Sequence, residues 1–231
     1  MKIFLDLETI PDQTPGALEA IRVTTKPPGN ITKAESIQKW MDENAGPAAD
    51  TAWRKTALNG TSGEIIVIGY AFGENGDAET LHRKPGEPEA GLIRDFWLAV
   101  AMALEGHHGP HGGVEFVGHN LINFDSRFLK QRSIIHGIRP SVKLDPSARH
   151  NGGHLFDTMQ EWAGFKEYIT LDALCKALGI ESPKDGGMDG SKVYDAWMAG
   201  RVEEIAAYCK KDVEQMREVW RRLTFHIAEA A

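Results

Sequence analysis

Residues 2–8 read Lys2-Ile3-Phe4-Leu5-Asp6-Leu7-Glu8. Successive side chains of an extended chain point to opposite faces, so Ile3, Leu5 and Leu7 share one side and Phe4, Asp6 and Glu8 the other. The stretch predicts a β-strand, ended by Pro11, that sends two carboxylates from one face. Asp6 stands within an apolar strand, where an unpaired charge is costly and a bound cation would remove the cost. Plain alternation on a solvent-facing edge strand would give the same pattern, so the pair alone leaves both readings open.

Outward from this strand, residues 14–62 are mostly polar and predict helices at about 14–22, 33–44 and 48–58, broken by Pro27-Pro28-Gly29 and Ala45-Gly46-Pro47. The run from Glu64 to Phe72 is nearly all apolar and predicts a central buried strand. Gly73-Glu74-Asn75-Gly76 predicts a hairpin turn, and 78–83 an edge strand. Leu92, Ile93, Phe96, Val100 and Leu104 mark an amphipathic helix over 88–104. A strand at 114–118, a helix at about 124–137 and a short strand near 154–156 follow. The chain closes on helices at about 157–163, 170–178, 190–199 and 201–226. Three meandering strands followed by β–α units predict an α/β fold with a mixed sheet and helices on its faces. No repeat or long linker divides residues 1–231, so one domain is expected, with 14–62 as a helical insertion after the first strand.

The composition is that of a globular protein, and no apolar run approaches the ~18 residues of a membrane span. The N-terminus turns acidic after five residues, too early for a secretory signal, and two cysteines (Cys175, Cys209) make no disulfide scaffold. A cytoplasmic location and no membrane partner are expected. A net charge of −7 argues against gripping nucleic acid by bulk positive charge, but does not exclude phosphate binding through metal ions held by carboxylates. Charge is uneven: between 127 and 150, Arg127, Lys130, Arg132, Arg139, Lys143 and Arg149 face a single acid, Asp145. That segment offers a track for a phosphate backbone or a solvated helix face. Lys26, Lys33, Lys39, Arg54 and Lys55 accompany Trp40 and Trp53 in the 14–62 stretch, which could clamp a single strand, dock a partner protein, or pack onto the core.

Two more acidic clusters join the first. Gly118-His119-Asn120-Leu121-Ile122-Asn123-Phe124-Asp125 follows a strand and opens a helix, with Asp125 in its first turn, where an acid is favoured. On the last helix, Val202, Ile205, Cys209, Val213, Met216, Trp220 and Leu223 form a buried stripe, and Tyr208 and Asp212 border it one turn apart. Asp157 reads as a helix N-cap. His107, His108 and His111 lie in a Gly/Pro-rich loop without a further soft ligand, which argues against zinc.

The order Asp6-x-Glu8, then Asn120 through Phe124-Asp125, then Tyr208-x-x-x-Asp212 resembles the DEDD exonuclease superfamily, in its DEDDy branch. The likeness runs through Leu5-Asp6-Leu7-Glu8-Thr9-Ile10-Pro11, Phe156-Asp157-Thr158-Met159, Leu171-Asp172-Ala173-Leu174, Asp189-Gly190-Ser191 and Tyr208-Cys209-Lys210-Lys211-Asp212. It is similar above all to stand-alone relatives of the proofreading exonuclease domain of B-family DNA polymerases. The resemblance implies an RNase H-like fold: a five-stranded mixed sheet whose first three strands are antiparallel. It implies a 3′→5′ exonuclease hydrolysing single-stranded DNA to 5′-mononucleotides with two divalent ions, Mg²⁺ or Mn²⁺. Asp6, Glu8, Asp125 and Asp212 would be the metal ligands. Tyr208 would aim the attacking water, and Thr9, Ile10 and Asn120 would touch substrate. A DNA polymerase lacking its own proofreading domain is a partner the resemblance allows. An exoribonuclease of the same superfamily is a second reading. A non-catalytic nucleic-acid-binding or polymerase-docking module is a third, although all four acids are present.

Overall fold

β1 (Lys2–Ile10) lies at the middle of a five-stranded sheet of order β3-β2-β1-β4-β5, formed with β2 (Glu64–Phe72), β3 (Ala78–His82), β4 (Glu115–Gly118) and β5 (Leu155–Asp157). The computed structural model describes residues 1–105, 113–145, 150, 152, 154–181 and 187–226. The His107, His108 and His111 loop and Arg149 lie outside the described residues.

β1, β2 and β3 pair antiparallel, whereas β4 runs parallel to β1 and β5 parallel to β4. β1 is therefore no edge strand, and the solvent-facing reading of Asp6 and Glu8 falls. The carboxyl ends of β1, β4 and β5 share one edge of the sheet, where open α/β sheets present their binding crevices.

The expected alternation of β1 sorts the core. Ile3, Leu5 and Leu7 pack with Ile65, Ile68, Phe96 and Phe128 beneath α3 (Glu89–Ala103) and α4 (Asp125–Ile135). Phe4 packs on the opposite face with Val213, Met216 and Trp220 of α8 (Val202–Leu223). A register shift at Glu8/Thr9 pairs Glu8 with Val67 and Thr9 with Ile65, leaving Ile66 as the extra residue. This bulge turns both Ile66 and Val67 to the α8 side, and β2 reads as an unbroken apolar run because both its faces are buried.

Between β1 and β2 stand α1 (Ala17–Thr24), α2 (Ala34–Arg54) and a 3-10 turn at Lys55–Leu58. The predicted break at 45–47 does not occur: α2 passes through Pro47. Glu43, whose carbonyl loses its amide partner there, is exposed, so water can satisfy it. Trp53 is buried, donates its indole N–H to the Asp12 carbonyl at 2.9 Å and meets the Tyr194 ring edge-on at 5.0 Å. Arg54 pairs with Asp50 and Asp195. Trp53 and Arg54 thus fasten the helix to the body.

The remaining helices are α5 (Thr158–Ala163), α6 (Leu171–Ala177) and α7 (Val193–Met198). Among the described residues, no helix is long and apolar enough to cross a membrane.

Candidate active site

Four carboxylates and one tyrosine come together around β1, beside the edge it shares with β4. β4 is short and its last register pair with β1 is Phe4↔Val117, so beyond that point one edge of β1 lacks a strand partner. Asp125, at the start of α4 and 2% exposed, fills this edge: its Oδ1 accepts the Leu7 N–H at 3.1 Å.

From the other side, α8 delivers Tyr208 and Asp212. It can approach because β2 carries Gly69 opposite Asp6. A Cβ on Gly69 would stand 2.7 Å from Cys209 Sγ and 3.2 Å from the Cys209 carbonyl. This close contact sets Cys209 over β1, where its S–H donates to Asp6 Oδ2 at 3.3 Å. Gly69 and Cys209 are positioning residues that the motif pattern did not reveal. The signal for Gly69 was a glycine inside an otherwise apolar strand, a common mark of close backbone approach.

The charges acting on Asp6 and Glu8 are all negative. Burial raises the Asp6 carboxyl well above its ordinary range, and Asp212, Glu8 and Asp125 raise it further, while the Cys209 hydrogen bond opposes them. Glu8 is raised by burial, Asp212 and Asp125. Burial pushes Asp125 up to about 8, with Asp157 adding and backbone N–H groups opposing. Tyr208 stands beside Asp212, and burial together with the surrounding carboxylates pushes its pKa far up, so the phenol keeps its proton.

Asp6, Glu8 and Cys209 offer ligand atoms within 4.8 Å of one another, a grouping that could hold a metal ion. A divalent cation suits this crowd of mutually repelling oxygen donors.

The substrate-side candidates separate. Asn120 borders the site with φ 61°, a left-handed conformation that asparagine tolerates, and its N–H donates to Asp157 Oδ1 at 3.0 Å. Asp157 is fully buried and also accepts from Ile122, Met159 and Gln160, so it is an N-cap, as expected, and a tie to the 119–122 loop. Thr9 donates its hydroxyl to the Ala57 carbonyl at 2.7 Å. The Ile10 side chain is a correction. It continues the face of Phe4, Asp6 and Glu8 and is fully buried among Val193, Trp197 and Ile205, so it offers no apolar wedge to a substrate. His119 is occupied: Nε2 lies 2.8 Å from the Ile169 carbonyl and Nδ1 3.0 Å from Thr158 Oγ1, and burial lowers its pKa. Arg132, counted in the basic segment, is buried and bound to Glu89.

Residues 65–229 match a family model described as a predicted 3′-5′ exonuclease related to the exonuclease domain of PolB. The chain belongs to this family. Membership agrees with the DEDDy resemblance, although the matched span begins after Asp6 and Glu8, which enter the same sheet through β1. The chain is also 26% identical over 177 residues to an uncharacterized protein of Methanocaldococcus jannaschii, covering 73% of this chain and 90% of that one. Among solved structures it is similar to the family B DNA polymerase of the hyperthermophilic archaeon Pyrobaculum calidifontis, with a TM-score of 0.56 at 15% identity. That likeness covers 97% of this chain and 24% of the polymerase, so this PolB-exonuclease relative spans about a quarter of the larger enzyme. It supports the RNase H-like fold, with the mixed sheet and antiparallel first three strands expected.

Proposed function

We propose that this PolB-exonuclease relative is a 3′→5′ exonuclease that hydrolyses single-stranded DNA to 5′-mononucleotides, acting as one domain over residues 1–231 with 14–62 as a helical insertion. The observation that carries this reading is the convergence of Asp6, Glu8, Asp125 and Asp212 with Tyr208, where each carboxylate raises the proton affinity of its neighbours. Such charge density is costly unless a ligand answers it.

Asp6, Glu8, Asp125 and Asp212 would hold two divalent ions, Mg²⁺ or Mn²⁺. When bound, these ions supply an activated water and charge stabilisation for the attacking and leaving oxygens. The Tyr208 phenol carries one proton and two oxygen lone pairs beside Asp212, and a lone pair would accept from the attacking water and aim it. Because the phenol stays protonated, it orients the water rather than deprotonating it. Asn120 borders the crevice from the 119–122 loop and would touch the terminal nucleotide, and Thr9 would support it from the end of β1. A strand end enters such a crevice more readily than a duplex, whose unpairing costs ~1.4 kcal/mol per step.

The experiment is hydrolysis of a 5′-labelled single strand with Mg²⁺ or Mn²⁺ and with EDTA. A ladder shortening from the 3′ end, release of 5′-mononucleotides and silence in EDTA are expected. Cutting of a circular single strand at a comparable rate would overturn the exonuclease reading. Parallel RNA strands report the sugar preference, and co-purification with a polymerase lacking a proofreading domain reports a role in replication or repair.

A further inference from the structure

Four aromatic rings are exposed among the described residues, and three of them fall within seven positions: Trp162 at 47%, Phe165 at 78% and Tyr168 at 73%. Single exposed apolar side chains are ordinary, but a cluster marks an interaction surface. This one follows β5. The carboxyl ends of the parallel strands β1, β4 and β5 share one sheet edge, so the segment leaves the edge on which the acidic crevice opens. β5 stands two strands from β1, roughly 10 Å across the sheet.

The segment is fastened to the crevice. Asp157 caps α5, which carries Trp162, and accepts the N–H groups of Asn120 and Ile122 on the loop beside Asp125. His119 holds the Ile169 carbonyl, next to Tyr168, at 2.8 Å. Both ends of the ring-bearing segment are thus tied to the 119–122 loop beside Asp125.

We infer that Trp162, Phe165 and Tyr168 form a stacking platform for the bases of a single strand whose 3′ end occupies the acidic crevice. This rests on the exonuclease reading and names how that site grips its substrate. Charge decides between grips: the segment carries Lys166 against Glu161 and Glu167, and the Lys166 ammonium lies 5.3 Å from the Phe165 ring centre. The segment therefore offers ring faces rather than phosphate neutralisation. Every base has a π-face, so the grip is tolerant of sequence.

The test uses the full chain and a triple variant, Trp162→Ala, Phe165→Ala and Tyr168→Ala. Binding of a fluorescein-labelled deoxythymidine strand of about 12 nucleotides, within the usual single-strand site size, is measured in EDTA so that no hydrolysis competes. An abasic strand of equal length serves as the second probe. The triple variant should lose about tenfold or more in affinity for the base-bearing strand. Its salt dependence should keep the wild-type slope, and its affinity for the abasic strand should not fall. Equal affinity of wild type and variant for the base-bearing strand overturns the platform and leaves the rings to a protein partner. A steep fall on the abasic strand overturns it too, since the loss would then not be stacking. Degradation of the base-bearing strand by the wild type with Mg²⁺ is scored separately. If it proceeds while the variant binds normally, only the platform falls; if it fails, the exonuclease reading falls and the platform with it.

Discussion

The sheet carries two buried charge clusters that are resolved in opposite ways. On the side of α3 and α4, Glu89 is 4% exposed and accepts from Arg132 Nε at 2.9 Å, from the Ile65 N–H at 2.7 Å and approaches His136 Nε2 at 2.7 Å. In the crevice beside α8, the charges acting on Asp6 and Glu8 are those of other carboxylates, and the Cys209 S–H is a neutral donor to Asp6. The first cluster is closed by the chain itself, because an unmatched buried charge costs several kcal/mol. The second is paid for by the rest of the fold, as a binding site can be when a ligand is to complete it.

The sharpest way to break the comparison is to neutralise the acids. In the two-metal reading, Asp6→Asn and Asp212→Asn each remove charge that stabilises the transition state, and strand hydrolysis should fall by about 10³ or more. Asp6→Asn also relieves repulsion from Asp212, Glu8 and Asp125, so its metal-free melting temperature should hold or rise. A fall in both activity and stability would make the acids structural and erase the contrast.

The opposite result is expected at Arg132. Arg132→Ala leaves Glu89 buried without its guanidinium and should cost about 3–5 kcal/mol of stability, read from urea unfolding, with hydrolysis per folded molecule retained. A cost under ~1 kcal/mol would mean that the Glu89 cluster is no better closed than the crevice.

Stability against pH sharpens the contrast further. Asp6, Glu8 and Asp125 hold protons in the folded chain at pH values where they are ionised in the unfolded one. The folded state therefore binds more protons, and stability should fall as pH rises from about 4, the unfolded carboxyl value, towards about 8, where Asp125 titrates. A divalent ion binds the ionised carboxylates, so the stabilisation it causes should grow with pH and reach ~2.7 kcal/mol at a hundredfold excess over Kd. Melting curves with EDTA and with Mg²⁺ across this range measure both. A metal-free protein that gains stability between pH 4 and 8 would contradict the crowding of the acids.

Much of this arrangement was legible because it rests on short periods. Alternation separated Leu5 and Leu7 from Asp6 and Glu8, and the one-turn spacing joined Tyr208 to Asp212. What depended on contacts between distant segments was not legible. Arg132 reads as one more cation in a basic segment until Glu89, 43 residues away, closes on it. Ile10 reads as a residue that would touch substrate, but β1 continues through it and carries its side chain into the core. Pro47 reads as a helix stop, yet solvent on an exposed face satisfies the carbonyl it orphans. The close seat of α8 depended on Gly69, whose meaning is fixed only by the Cys209 sulfur above it.

The smallest expected effect concerns Tyr208, which differs from the acids in carrying no charge. It stands beside Asp212, next to the buried Cys209 of the α8 stripe. Tyr208→Phe keeps the ring and removes one orienting oxygen, so hydrolysis should slow by about 10–10²-fold, the lower range for positioned proton-handling groups. Asp212 keeps its charge, so the Mg²⁺-induced rise in melting temperature should match that of the wild type. The limb of the pH–rate profile at high pH should also be unchanged, because a phenol held protonated throughout contributes no titration there. Wild-type turnover in Tyr208→Phe would reduce this residue to an aromatic at the edge of the core. His119 could not take its place, since both ring nitrogens are engaged by Thr158 and the Ile169 carbonyl. Water orientation would then rest on the carboxylates alone.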